Sequence, residues 1–305
     1  MFTLSICIFL LLLLSLNVFE NKWTNGAATA VIDTAGNWSP TTPGANEAAL
    51  FLAENSATSG PQGSAAVMDG LTALDLDLLK VGPGYNKPIG ASGAPLQLSA
   101  DLVWYRGTYL DGINHGKLWY ADGDLTTDLF IVDSTAADGL GHDCVEILAG
   151  SGTGLISQLD VLRGKTTLSG GTVTIASCGR RNSNTPEAHL YIGSSVVIST
   201  HVELWGGGLV TCLVNPVLAR VFAGTWLQSQ GGAVITTLHV WGGTVILNQG
   251  GTYATVRHYG GVIDTTQQGG IKTITNYYKY PGAVLLGEND ASCVSITNRF
   301  DFSGS

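Results

Sequence analysis

The chain has 305 residues, a formal net charge of −9, and only 12% charged residues against 45% apolar ones. That balance excludes a disordered chain, which would be highly charged and poor in β-branched residues. With 14 basic residues scattered along the sequence and no basic stripe, it also excludes nucleic acid as a partner. Glycine is abundant, 41 residues, but shows no three-residue period, so a collagen-like helix is excluded too.

In chain order, residues 4–16 form an almost wholly apolar run with no Lys or Arg before it. It departs from a secretion signal in lacking that basic start and a nearby small-x-small cleavage site, and it is short for a membrane span. Three readings stand: signal peptide, short anchor, or a start codon called too early with the native chain beginning near Lys22. Contact with a membrane is expected only if this leader, residues 1–21, is retained.

Residues 22–65 are rich in Asn, Thr, Ser, Pro and Gly and read as an N-terminal cap. From residue 66 short β-prone runs become rhythmic. Leu71, Leu74, Leu76 and Leu78 alternate with polar residues, the period-2 pattern of a strand with one buried face. Further runs lie at 96–103, 117–120, 125–132, 144–148, 155–162, 172–175 and 190–204. Residues 179–186 interrupt them as a polar loop. No sustained 3.6-residue periodicity occurs, so helices should be few.

Beyond residue 204 the rhythm sharpens. Gly-Gly pairs fall at 231–232, 242–243, 250–251, 260–261 and 269–270, and every second pair is 18 or 19 residues apart. A fixed period near 20 residues with two or three short strands is the mark of a solenoid, in which coils stack because one coil cannot bury its own apolar face. Alignment on the glycines puts Trp205, Phe222, Trp241, Tyr259 and Tyr280 at one equivalent position. Glu203, Arg220, His239, Arg257 and Tyr278 stand two residues earlier. Both columns should share one side of the sheet, with Leu204, Val221 and Val240 facing the core. Residues 66–290 are therefore expected to form the solenoid, and 291–305 a C-terminal cap or tail.

Flat aromatic faces at regular spacing suit sugar rings, so the candidate ligand-binding ladder is Trp205, Phe222, Trp241, Tyr259 and Tyr280, with His239 and Arg257 beside it. Catalytic signals are weak. Asp75 with Asp77, Asp122 with Asp124, and Glu288 with Asp290 are i, i+2 pairs that could share a face, but none is repeated on a neighbouring coil, so they read as solvated acids. The stretch Gly141-His142-Asp143 lacks the accompanying acidic and basic elements of a galacturonase site. Gly-Gly repeats of calcium-binding β-rolls carry an Asp in each repeat, and here Asp264 stands alone. The histidines 115, 142, 189, 201, 239 and 258 have no partner at metal-ligand spacing. No metal and no cofactor is expected. Cys144, Cys178 and Cys212 are spaced by 34 residues, roughly two coils, too far apart for a bridge, and read as small buried residues.

Lys22-Trp-Thr-Asn-Gly26, the stretch 36–44 with its Asn-Trp-Ser-Pro, residues 71–79, residues 89–96 and the Thr-Thr-Leu-His-Val-Trp-Gly-Gly coil at 236–243 together resemble a loosely defined group of uncharacterised β-solenoid proteins. These occur among tailed-phage structural genes and in some environmental bacteria. The likeness covers residues 22–290, and the apolar leader departs from it. It implies a virion-surface or tail-associated role.

The combined expectation is an all-β chain, a right-handed single-stranded parallel β-helix of the pectin-lyase-like kind, with coils of about 18–20 residues. About ten to twelve coils would make a rod roughly 50–60 Å long. Its function is expected to be non-enzymatic: a structural or adhesive protein of a phage virion that contacts host glycans. A secreted bacterial adhesin and a polysaccharide lyase or hydrolase are the rival readings. Partners would be surface glycans, other virion proteins, or two further copies in a homotrimer; the location is a virion or the cell exterior.

Overall fold

The computed structural model describes residues 20–27, 35–55, 60, 68–108, 116–134, 143–149, 153–181, 187–229 and 235–302. Residues 1–19 of the leader, the 231–232 glycine pair, His115, His142 and most of the 179–186 loop lie outside them, and the last two leader residues, Glu20 and Asn21, open the first strand. Among the described residues the chain is all-β, a 22-stranded sheet with two short 3-10 turns and no α-helix.

Two parallel ladders organise most of the strands. From Thr172–Cys178 onward each strand pairs with the next but one in sequence. Upstream, several sequence neighbours pair directly, and Glu20–Trp23 also pairs antiparallel with Trp38–Ser39. The first ladder opens at Glu20–Trp23, passes through Ala48–Phe51 and then residues 78–81, 102–105, 129–132, 158–161, 175–178 and 201–204. It continues through Leu218–Val221, Thr237–Val240 and residues 255–258 and 276–279, and ends at 298–301. The second ladder runs from Leu118–Asp122 through Asp143–Leu148, residues 165–168, Ala188–Ile192, Gly208–Cys212, Thr225–Gln228, Thr244–Leu247 and Gly261–Asp264 to Ala283–Leu286. Two strands span both: Leu96–Tyr105, whose residues 96–98 pair with Leu118–Asp122 and whose residues 102–105 pair with Thr127–Asp133, and Ile156–Leu168. The apolar run at 190–204 is two strands, Ala188–Ile192 and Val197–Leu204, because Gly193-Ser-Ser-Val196 turns the chain from the second ladder toward the first.

Pairing in register turns alternation into columns. In the first ladder Leu159, Ala176, Val202, Ala219, Leu238 and Val256 form one buried column, and Val161, Cys178, Leu204, Val221 and Val240 another. Cys144, Cys178 and Cys212 are buried and free. Cys178 belongs to the first ladder, and Cys144 and Cys212 to strands of the second.

Both ends of the core are plugged. At the start, Trp23, Trp38, Phe51 and Tyr85 pack edge to face, with Trp23–Trp38 centroids 5.2 Å and Phe51–Tyr85 centroids 5.6 Å apart. At the finish the apolar column turns polar, passing from Val240 to His258, Lys279 and Asp301. Glu288 receives Lys279 Nζ at 2.8 Å and pairs with Arg299, whose Nε reaches Asp301 at 2.8 Å. Such a polar outer face is what the last unit of a stacked array needs.

Corners after the first ladder follow one rule, aromatic-x-Gly. Gly207, Gly224, Gly243, Gly261 and Gly282 all adopt positive φ, between 68 and 88°. The middle residue varies among Gly, Ala and Pro, and the last is always glycine, since a side chain there is strained. A Cβ on Gly243 would also lie 2.5 Å from the Gly224 carbonyl oxygen. Gly243→Ala should lower the unfolding free energy by about 2 kcal/mol or more in urea titrations, from left-handed strain plus that overlap. Ala223→Gly, at the tolerant middle position, should cost well under half as much.

His258 is fully buried where its predecessors are Val. Its Nε2–H donates to the Gly261 carbonyl at 3.1 Å, and Nδ1 accepts from the Tyr277 hydroxyl at 2.9 Å. Burial pushes its pKa from 6.5 down to about 4. The folded chain thus binds fewer protons than the unfolded one between those values, so this stability is present above pH 6.5 and lost as pH falls toward 4. Its full size is roughly 3 kcal/mol. The double variant His258→Val with Tyr277→Phe should flatten the decline of thermal stability between pH 6.5 and 4; an unchanged slope would locate that decline elsewhere.

Candidate functional site: the aromatic corner and its flanks

The register brings the residues of the aromatic column together. Each follows the last core residue of a first-ladder strand, at the corner that the glycine rule creates. Trp205 and Phe222 stack at 4.0 Å and 7°, Phe222 and Trp241 at 4.6 Å and 11°, Trp241 and Tyr259 at 5.1 Å and 12°, Tyr259 and Tyr280 at 4.5 Å and 27°. Phe302 continues the stack on Tyr280 at 4.6 Å. It lies beyond residue 290, where the repeats are expected to end, so the glycine alignment does not reach it. The sequence does carry a signal for it, since Phe300-Asp-Phe302 repeats the spacing of Tyr278-Lys-Tyr280. A cleft of about 320 Å³ lies beside this end, lined by Lys279, Tyr280, Pro281, Arg299 and Phe302 among others.

The neighbouring column also stands in register: Glu203, Arg220, His239, Arg257, Tyr278 and Phe300. Arg220 Nη1 donates to Glu203 at 3.0 Å, and Arg257 Nη1 to His239 Nε2 at 3.3 Å. Partial burial, then the Arg257 and Arg220 charges, hold the His239 pKa below its usual value, so it serves as a neutral acceptor. Tyr278 and Phe300 stack at 4.7 Å, with Arg257 5.7 Å from the Tyr278 ring centre.

One expectation changes with this geometry. Rings stacked nearly parallel at van der Waals distance cover each other's faces, so sugar rings meet edges rather than faces along the column. Trp241 remains 40% exposed, at its rim. The outer face of Trp205 is covered as well, by Arg181 at 4.7 Å.

The carboxylate pairs behave differently from their sequence reading. Asp77 and Asp101 occupy matching positions on adjacent strands, as the Leu76↔Ala100 and Leu78↔Leu102 pairing requires, and Leu102↔Leu129 puts Asp128 next in line. The acids are therefore repeated across strands, contrary to expectation; the irregular residue spacing before the Gly-Gly region hides the register. Burial, then Asp128 and Asp77, raise the Asp75 pKa; burial, then Asp75, Asp128 and Asp77, raise that of Asp101. Asp122 is not solvated: it is 3% exposed, Oδ1 accepts no hydrogen bond, and burial pushes its pKa up to about 7. Its partner in sequence, Asp124, is exposed in the following turn. Glu288 and Asp290 share a turn rather than a strand face; Glu288 joins the terminal ion pairs and Asp290 accepts from Ser292. Among the described residues no group of three metal-ligating side chains converges.

A basic cluster stands outside the residues that the sequence singles out. Asp133 accepts from Arg163 Nε at 2.6 Å and Arg180 Nη2 at 2.5 Å, with Arg106 Nε at 3.7 Å. No short motif announces it, because its members come from separate repeats.

Comparison with protein-family models, curated proteins and solved structures finds no match to this chain.

Breaking the stack should be costly. Trp241→Ala removes two stacked contacts, and the double variant Trp241→Ala with Tyr259→Ala removes those and the Tyr259–Tyr280 contact. Each stacked pair is worth about 0.5–1.5 kcal/mol beyond area burial. The double variant should lose about 2–4 kcal/mol in chemical unfolding. A loss under about 0.5 kcal/mol would mean that the stack contributes little to stability.

Proposed function

We propose that the two ladders wind as a right-handed single-stranded parallel β-helix, with coils of about 18–20 residues, serving as a non-enzymatic structural and adhesive surface protein. The observation that carries this reading is the unbroken parallel ladder from Glu20–Trp23 to Val294–Asp301, with one outer corner built from stacked rings. A stiff scaffold with a regular outer face suits repeated contact with a large partner better than enclosure of a small molecule. The setting would be a phage virion, on a tail or capsid surface, with host glycans as the partner. Contact would run along the ring edges and the His239 and Arg257 side chains, and a homotrimer would present three such faces. A secreted bacterial adhesin is the same physical object in another location.

A second reading is favoured by one observation, the aspartate group at positions 75, 77, 101 and 128. Adjacent carboxylates, here with the pKa values of Asp75 and Asp101 raised, are the raw material of glycoside hydrolysis. Release of reducing or unsaturated ends from a surface polysaccharide, abolished by Asp101→Asn, would establish it.

The primary test is peptide mass spectrometry of density-purified particles against the cell-envelope fraction of the source culture. Enrichment in particles supports the virion role. Enrichment in the envelope, with the leader removed, replaces it with the adhesin; presence in neither removes both.

A further inference from the structure

We propose that the arginine cluster at the head of the aromatic stack is a subsite for an acidic glycan. It would take a uronate carboxylate or a sulfate half-ester between Arg106, Arg163, Arg180 and Arg181. This rests on the glycan-contact reading above and names the class of glycan.

The argument starts from donors and acceptors. Each guanidinium carries five N–H donors, whereas a carboxylate offers about four lone-pair sites. Three guanidiniums converge on the single carboxylate of Asp133, whose side chain is only 14% exposed. Glu187 adds a more distant negative charge beside Arg163. The cluster is therefore short of acceptors, and Arg106 Nε is buried with no hydrogen bond. The three arginine side chains keep 31–39% of their surface open, so a second anion can reach them.

Position supplies the rest. The Arg180 backbone N–H donates to the Gly206 carbonyl at 2.9 Å, and Arg181 covers the Trp205 ring, so the cluster is continuous with the stack. On the other side Lys80 and Arg106 both lie 5.4 Å from the Trp104 ring centre. Cations thus gather at one patch of a chain whose net charge is −9. Planar guanidiniums match carboxylate and sulfate oxygens in fork geometry. An acidic glycan, with one charge every sugar or two, needs a local cluster of this kind. A single-stranded nucleic acid needs a continuous basic track and open ring faces, and the stack leaves its faces covered.

The test uses the full chain and titrates oligogalacturonate, dextran sulfate, neutral dextran and oligothymidylate by calorimetry. The acidic glycans should bind more tightly than neutral dextran, and more weakly as salt rises. Arg181→Gln touches no partner of Asp133 and should weaken acidic-glycan binding about tenfold, the loss of one charge-assisted contact. Asp133→Asn should tighten it, because the freed guanidiniums turn to the ligand; mere loss of folding cannot produce that gain, and melting curves of both variants check it. Equal affinity for acidic and neutral glycans, unaffected by Arg181→Gln, would overturn the subsite while leaving glycan contact intact. Failure of every glycan to bind would remove both. Preferential, Arg181-dependent binding of oligothymidylate would overturn the glycan assignment in favour of nucleic acid.

Discussion

Exact parallel register is the constraint on which everything else rests. Strand side chains alternate with period 2, so a slip of one residue between adjacent strands would exchange inside for outside. Here the register holds from Leu204 to Val221, Val240 and His258 and on to Lys279. Any property encoded at one position is therefore repeated as a column. Apolar residues become a continuous core, aromatic residues become a stack, and charged residues become a line of ion pairs. The left-handed glycines maintain that register at the corners, because each allows the chain to leave the first ladder by the same turn. The 17 to 22 residues between successive rings differ in number while the pairing of the strands that carry the rings stays in register.

The same register sets a competition between stability and recognition. Rings placed one above another at strand spacing have little choice but to stack, and stacking uses the surfaces a sugar would seek. The column therefore stiffens the corner first and leaves recognition to what surrounds it: the rim of Trp241, the His239 and Arg257 pair, and the cations around Asp133. Charge shows the opposite logic. Equal charges in register repel, as in the line Asp77, Asp101 and Asp128, whereas alternating charges attract, as in Glu203 and Arg220. The acidic line stands against the stabilising trend of the rest of the surface, which is why it favours a second functional reading.

Legibility of the sequence follows regularity. Coils beyond residue 204 align with one another because glycine and aromatic residues mark the same corner in each. The stacked column and the His239–Arg257 column are therefore readable from the amino-acid sequence alone. Upstream, the coils lack that marker and contain longer excursions, so the contacts among Asp77, Asp101 and Asp128, and among Arg106, Asp133, Arg163 and Arg180, are invisible there. Each unites residues separated by at least a coil, and no local pattern predicts which long-range partners will face each other. Asp122 is misread for a related reason. Its neighbour Asp124 makes the pair look solvated, but Leu98↔Asp122 pairing turns the first inward.

A gradient along the core gives the molecule direction. It begins with interlocked aromatic rings at Trp23, Trp38 and Phe51, runs through mainly apolar residues that include the buried ring of Tyr105, and in the first ladder passes into His258, Lys279 and Asp301. Aromatic packing closes the core by filling it. An ion-paired end closes by remaining wet, and so resists the addition of another strand at the open edge. Phe300 and Phe302, both partly exposed, extend the two outer columns onto this strand. Arg299 and Asp301 stand on the same strand, on the opposite face, where a further coil would have to bury them. Along Val294–Asp301 the chemistry of the core column thus changes while that of the outer one does not.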